Sequence, residues 1–104
     1  MSISFLTRPE GRIAYELHGN GDRLVVCVPG MGDLRQTYRH LVPLLVGRGY
    51  RVTTMDLRGH GDSDTTFTSY DDVALGSDIL ALIGELGGPA LVVGNSMGAG
   101  AAVW

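Results

Sequence analysis

Three short glycine-rich stretches carry the residues that could do chemistry: Pro29-Gly30-Met31-Gly32-Asp33, Arg58-Gly59-His60-Gly61-Asp62-Ser63 and Gly94-Asn95-Ser96-Met97-Gly98. The last sets one serine between two glycines. A serine hydroxyl that attacks a carbonyl must stand clear of the surrounding chain. The sharp strand-to-helix turn that lifts it there strains the backbone and admits only very small residues two positions to either side. Gly94 and Gly98 meet that demand. Such a turn also puts Ser96 at a helix N-terminus, where free N–H groups and the positive end of the helix dipole stabilise developing negative charge. Glycine makes up 16 of the 104 residues, so this spacing also arises by chance. The motif therefore depends on a strand before it and a helix after it.

The flanking sequence supplies both. Residues 90–93 are an apolar strand, and a helix opens from Met97. Upstream, residues 24–28 form a continuous apolar run of the kind buried on both faces of a sheet, and residues 50–57 read as the next strand. Between them, Leu34, Tyr38, Leu41, Val42 and Leu45 recur at helical spacing, which predicts a helix over 33–46. Leu75, Ile79, Leu82, Ile83 and Leu86 predict a second helix over 71–86, opened by Ser69 and Asp72 in a capping-box arrangement and closed at Gly87-Gly88-Pro89. Gly76 and Gly84 fall inside that helix, where close packing on the sheet is the expected reason for them. Alternating residues over 2–6 and 12–17 predict a hairpin around Pro9-Glu10-Gly11. Strands joined by helices make right-handed βαβ units, so the fold class is α/β: a three-layer sandwich with a mostly parallel sheet and flanking helices. All three glycine-rich loops then leave the carboxyl ends of parallel strands, where ligands gather in such sheets.

Composition narrows the function. Eight basic residues against eleven acidic ones give a net charge of −3, mixed along the chain, so no nucleic-acid or anionic-membrane surface is expected. All the basic residues are arginine, which removes a phosphate-gripping or Schiff-base lysine. The single Cys27 has no internal disulfide partner and fits a reducing cytoplasm. The N-terminal residues lack the pattern of a signal peptide, and no apolar run is long enough to span a membrane. No metal site is read.

From about Ile13 onward the order of elements, the run Asp56-Leu57-Arg58-Gly59-His60-Gly61-Asp62-Ser63 and the motif at Gly94–Gly98 together resemble the α/β-hydrolase family. The resemblance implies that Ser96 is the nucleophile and that the backbone N–H groups of Met97 and Met31 form the oxyanion hole. Gly94, Gly98, Gly30 and Gly32 would shape the two loops. Pro29-Gly30 stands where a His-Gly pair is usual, which leaves the N–H of Met31 in place. Arg58, Gly59 and Gly61 would belong to a structural turn beside the site. His60 is then a turn residue rather than the base, since the family runs in the order serine, acid, histidine. His18 is expected at the opposite edge of the sheet and His40 within the first helix. The strand holding Val26 would lie between those holding Val52 and Val92.

The implied function is serine-dependent hydrolysis of an ester or related acyl compound, a small-molecule substrate, through an acyl-enzyme and without a cofactor. Residues 97–104 contain no Asp, Glu or His, and the closing Ala-Gly-Ala-Ala-Val-Trp carries no helix stop. The 104 residues accordingly read as the N-terminal part of a single α/β-hydrolase domain, with an exposed apolar edge along the last strand. Two alternatives stand beside this. Gly30-Met31-Gly32-Asp33-Leu34-Arg35 partly matches a dinucleotide fingerprint, with Arg35 where a glycine belongs and Asp56 near the distance of a ribose-binding acid. A non-catalytic family member is the other. Substrate identity and oligomeric state are not legible.

Overall fold

The computed structural model describes residues 3–30, 34–67 and 72–94. Its centre is β3, Arg23–Val28, buried from Leu24 onward. Alternation sends Leu24, Val26 and Val28 to one face and Val25 and Cys27 to the other, so the strand needs apolar residues at every position. On one side β3 pairs in parallel with β4, Tyr50–Met55, and on the other with β5, Ala90–Gly94. Val26 thus sits between β4 and the Val92 position of β5, in the order expected. The hairpin forms from β1, Ser4–Arg8, and β2, Gly11–His18, and joins the sheet through antiparallel pairing of β2 with β4. The five strands run in the order β1-β2-β4-β3-β5. The far edge of β5 has no strand partner among the described residues, and its Leu91 is 62% exposed. Val103 and Trp104, expected beside that edge, lie outside the described residues.

A helix covers each face. α2, Asp72–Glu85, lays Leu75, Ile79 and Leu82 on the face made by Leu24, Val26, Val28, Met55 and Leu57. Its last carbonyls are taken by loop N–H groups, Gly88 to Ile83 at 2.8 Å and Gly87 to Gly84 at 3.3 Å. Arg51 donates to the Leu86 carbonyl just beyond, at 2.9 Å. The capping role expected of Ser69 lies outside the described residues. No helix among the described residues is long and apolar enough to cross a membrane.

The other face shows a correction. In place of one helix over 33–46, a 3-10 turn at Arg35–Tyr38 is followed by α1, Leu41–Gly47. Pro43 explains the break: inside one long helix it would lose a hydrogen bond to Arg39 and press its ring on that carbonyl. With the helix restarting at Leu41, Pro43 falls in the first turn, where an N–H has no intrahelical partner anyway. His40 thereby becomes the residue before α1. Tyr38 and Val42 still reach Val25, Cys27 and Val52, and the Tyr38 hydroxyl donates to the Val28 carbonyl at 2.6 Å. Burial in this cluster pushes the Cys27 thiol up from 9.0 to about 11, so it stays protonated at neutral pH.

Close packing does not account for Gly84, because a side chain built there would meet nothing within 4 Å. Gly84→Ala should therefore stabilise the protein by about 1 kcal/mol. Two residues earlier Leu82 is fully buried, and Leu82→Ala should cost about 2–5 kcal/mol. Denaturant unfolding of the two variants checks this contrast.

Candidate active site

The carboxyl ends of the parallel strands are Val28, Met55 and Gly94. Val28 and Gly94 are register partners, so β3 and β5 end side by side at this edge. Pro29 and Gly30 are buried at that point. Ser96, Met97, Gly98, Met31 and Gly32 lie outside the described residues, as does the backbone strain expected at Ser96. What the structure describes is the ground on which those loops stand.

That ground is held by a buried carboxylate. Asp56, just past β4, is completely buried, and its Oδ1 accepts the backbone N–H of Arg35 at 2.7 Å. Its Oδ2 accepts the Arg35 guanidinium and, at 3.1 Å, the N–H of Asp62. The same guanidinium donates to Glu16 at 2.7 Å and to Asp62 at 3.0 Å. Burial alone would lower the Arg35 pKa, but hydrogen bonds to Glu16 and Asp62 and the charge of Asp56 together raise it. One arginine thus ties the chain after β3 to the loop after β4 and to β2.

The loop after β4 is closed on itself and on the hairpin. Gly59 donates to the Asp64 carbonyl, His60 to Leu57 and Ser63 to His60, at 2.9–3.0 Å. The Ser63 hydroxyl donates to the Asp56 carbonyl at 2.8 Å and accepts the N–H of Ala14 at 2.9 Å. Arg12, through its side chain and its backbone N–H, holds the Asp64 carboxyl below its usual 3.8. Gly59 and Gly61 have φ of +75° and +52°, and a Cβ on Gly61 would fall on the Asp56 carboxylate. The His60 ring lies 3.0 Å from the carbonyl of Arg58, within its own loop. His18, at the end of antiparallel β2, pairs with Val52 near the start of β4 and so lies at the opposite edge, as expected.

Arg58 anchors the loop to the α2 face. Its guanidinium gives two hydrogen bonds of 2.8 Å to Asp78, which is fully buried, and lies 4.1 Å from the centre of the Phe67 ring. Arg8 of β1 donates to the same carboxylate at 3.0 Å and to Ser77 at 2.9 Å. Hairpin, loop and α2 therefore meet at Asp78. Sequence reasoning met Arg35 only as a misfit to a dinucleotide fingerprint and passed over Asp78. For Asp78 a signal existed, since an acid three residues after Leu75 sits in the apolar stripe of α2 and requires a buried cation. The dinucleotide alternative is disfavoured because Arg35 and the loop occupy Asp56, leaving no carboxylate for a ribose. No group of residues among those described could hold a metal ion.

Removing one partner of a buried ion pair leaves the other charge uncompensated. Asp78→Ala should lower stability by about 3–5 kcal/mol in denaturant unfolding. Arg58→Lys should recover little, since an ammonium cannot reproduce the two parallel bonds.

Comparison with known proteins places this arrangement. Residues 25–104 match the model of the alpha/beta hydrolase family. The chain is 43% identical over 91 residues to BpoC of Mycobacterium tuberculosis, provisionally named a non-heme bromoperoxidase, covering 84% of this chain and 33% of that protein. Against epoxide hydrolase A of the same organism, identity is 33% over 87 residues, covering 81% of this chain and 27% of the relative. A crystal structure of a bromoperoxidase from Bacillus anthracis superposes with a TM-score of 0.88 at 34% identity, over 96% of this chain and 37% of that one. The chain thus spans about a third of the length of these proteins. With the sheet order, the three loops at its carboxyl edge and these matches in agreement, the chain belongs to the alpha/beta hydrolase family.

Proposed function

We propose that these residues are the N-terminal part of one hydrolase domain that cleaves a small ester or related acyl compound, with Ser96 as the nucleophile. The observation that carries the reading is the Val28–Gly94 register pair. Ser96 follows Gly94 by two residues and Met31 follows Val28 by three, so the segments that would carry the hydroxyl and an oxyanion donor start from neighbouring strand ends. The Ser96 Oγ attacks the acyl carbonyl and passes its proton to a base. The tetrahedral oxyanion rests on the N–H groups of Met31 and Met97, and the alcohol leaves with a proton. Water then attacks the acyl-enzyme and restores the serine.

The chemistry of a serine separates acyl substrates from the epoxides in the relatives' names. A serine oxygen that opened an epoxide would be left as an ether, which water does not cleave under mild conditions. An acyl group on the same oxygen is an ester, which it does. Ser96 therefore suits acyl transfer. The buried, unpaired Cys27 accords with a cytoplasmic setting.

In the order serine, acid, histidine the acid and base would follow Ser96, and residues 97–104 contain no Asp, Glu or His. The test pairs the 104-residue chain with any longer product of the same reading frame, assayed on an activated ester. In a longer product, a fluorophosphonate should label Ser96, Ser96→Ala should lower kcat by on the order of 10⁶, and His60→Gln should leave the rate near wild type. The 104-residue chain alone should match its Ser96→Ala variant. A robust rate from it, abolished by both Ser96→Ala and His60→Gln, would overturn the reading and make His60 the base.

A further inference from the structure

The α1 face of the sheet holds a cleft that the chemistry above does not use. α1 packs over β3 and β4, while β2 turns Glu16 and His18 to the same face, in register with Thr54 and Val52 of β4. Between these strands and the turn that leads into α1 lies a cleft of about 310 Å³, lined by Thr54 and Val42 in its depth and by Glu16, His18, Arg35 and Arg39 around them. Small-molecule sites begin at roughly this volume, ~300 Å³. It opens on the α1 face of the sheet, and Arg35 joins its wall to the carboxyl edge through Asp56.

Its charges are unequally committed. Glu16 accepts Arg35 Nε at 2.7 Å, and Arg35 spends its other bonds on Asp56 and Asp62. Arg39 is exposed, and among the described residues its guanidinium makes one hydrogen bond, to the Gln36 carbonyl at 3.3 Å. Among the described residues no carboxylate pairs with Arg39 or with His18. The acid of the cleft is satisfied and the cation at its mouth is not, which favours an anionic guest. One uncommitted guanidinium beside the Glu16 carboxylate suits a single negative charge and disfavours a dianion. Its planar fork matches a carboxylate in two parallel bonds, while Val42 and Pro43 offer apolar contact to the rest of the guest.

We propose that this cleft binds a small monocarboxylate with a compact apolar or aromatic body, the carboxylate on Arg39 with His18 beside it and the body against Val42 and Pro43. Phenylacetate is the probe, with 2-phenylethanol and phenethylammonium as neutral and cationic analogues of the same shape. Equilibrium dialysis against the 104-residue chain measures affinity, and backbone and arginine NMR shifts locate the guest. Phenylacetate should bind saturably, shifting Gln36, Arg39 and Val42. Arg39→Gln should weaken it roughly ten-fold, the loss of about one charge-assisted pair, while Arg48→Gln beyond the end of α1 leaves it unchanged. The alcohol should bind correspondingly less well and the ammonium not at all. Absence of saturable binding, unchanged affinity in Arg39→Gln, or equal binding of the alcohol or ammonium would overturn the proposal. Inorganic phosphate competing as strongly as phenylacetate would overturn the choice of a monocarboxylate.

Discussion

A carboxylate removed from water is costly unless its neighbours are fixed to receive it, and Asp56 imposes that condition on the carboxyl edge of this sheet. Meeting it requires the N–H and guanidinium of Arg35, and hence a fixed position for residue 35 beyond β3. It also requires the N–H of Asp62 and a glycine at position 61, hence a fixed path for the loop after β4. Two loops that share no strand are thereby set relative to each other by one charge. The end of β5, from which the third leaves, is set by backbone register with β3. The proposed reaction, in which a hydroxyl and two N–H groups must converge within a few tenths of an ångström, would need this kind of support, because loops alone do not hold such positions.

Asp78 plays the corresponding part on the face of the sheet. Arg8 and Arg58 approach it from β1 and from the loop after β4, and α2 carries it. Apolar burial holds α2 to the sheet without fixing how the loop sits on it. The bidentate contact of Arg58 does fix this, and the stacking of the same guanidinium on Phe67 adds to it. The two arginine centres divide the work: Asp56 joins loop to loop along the edge, and Asp78 joins loop to helix and hairpin beneath it.

Local periodicity made much of the fold legible, though not the break between Tyr38 and Leu41. Leu24–Val28 announced a strand buried on both faces, the stripe from Leu75 to Leu86 announced α2, and the hairpin followed from alternation. Order within the sheet came from the family resemblance, since hydrophobic pattern does not say which strand lies in the middle. Pro43 was a readable break that the apolar spacing of Leu41, Val42 and Leu45 masked. The ion centres were harder to read because their partners lie far apart in sequence, Arg8 and Asp78 by 70 residues and Arg35 and Asp56 by 21. Arg35 was visible only as a misfit to a dinucleotide fingerprint. The roles given to Ser96, Met97 and Met31 rest on the resemblance and on the register beside them.

The dependence of the edge on Asp56 is tested most directly by a double-mutant cycle between Arg35→Met and Asp56→Leu, read by denaturant unfolding together with amide exchange at residue 35. Arg35→Met strands the buried Asp56 carboxylate and should cost about 3–5 kcal/mol, whereas Asp56→Leu should cost less because Glu16 and Asp62 still receive the guanidinium. The double variant should be less destabilised than the sum of the two by about 2 kcal/mol or more. The amide of residue 35 should lose its protection in every variant that lacks Asp56. Additive single costs, with that amide still protected in Asp56→Leu, would contradict the account and show the loops to be held by the apolar packing around them.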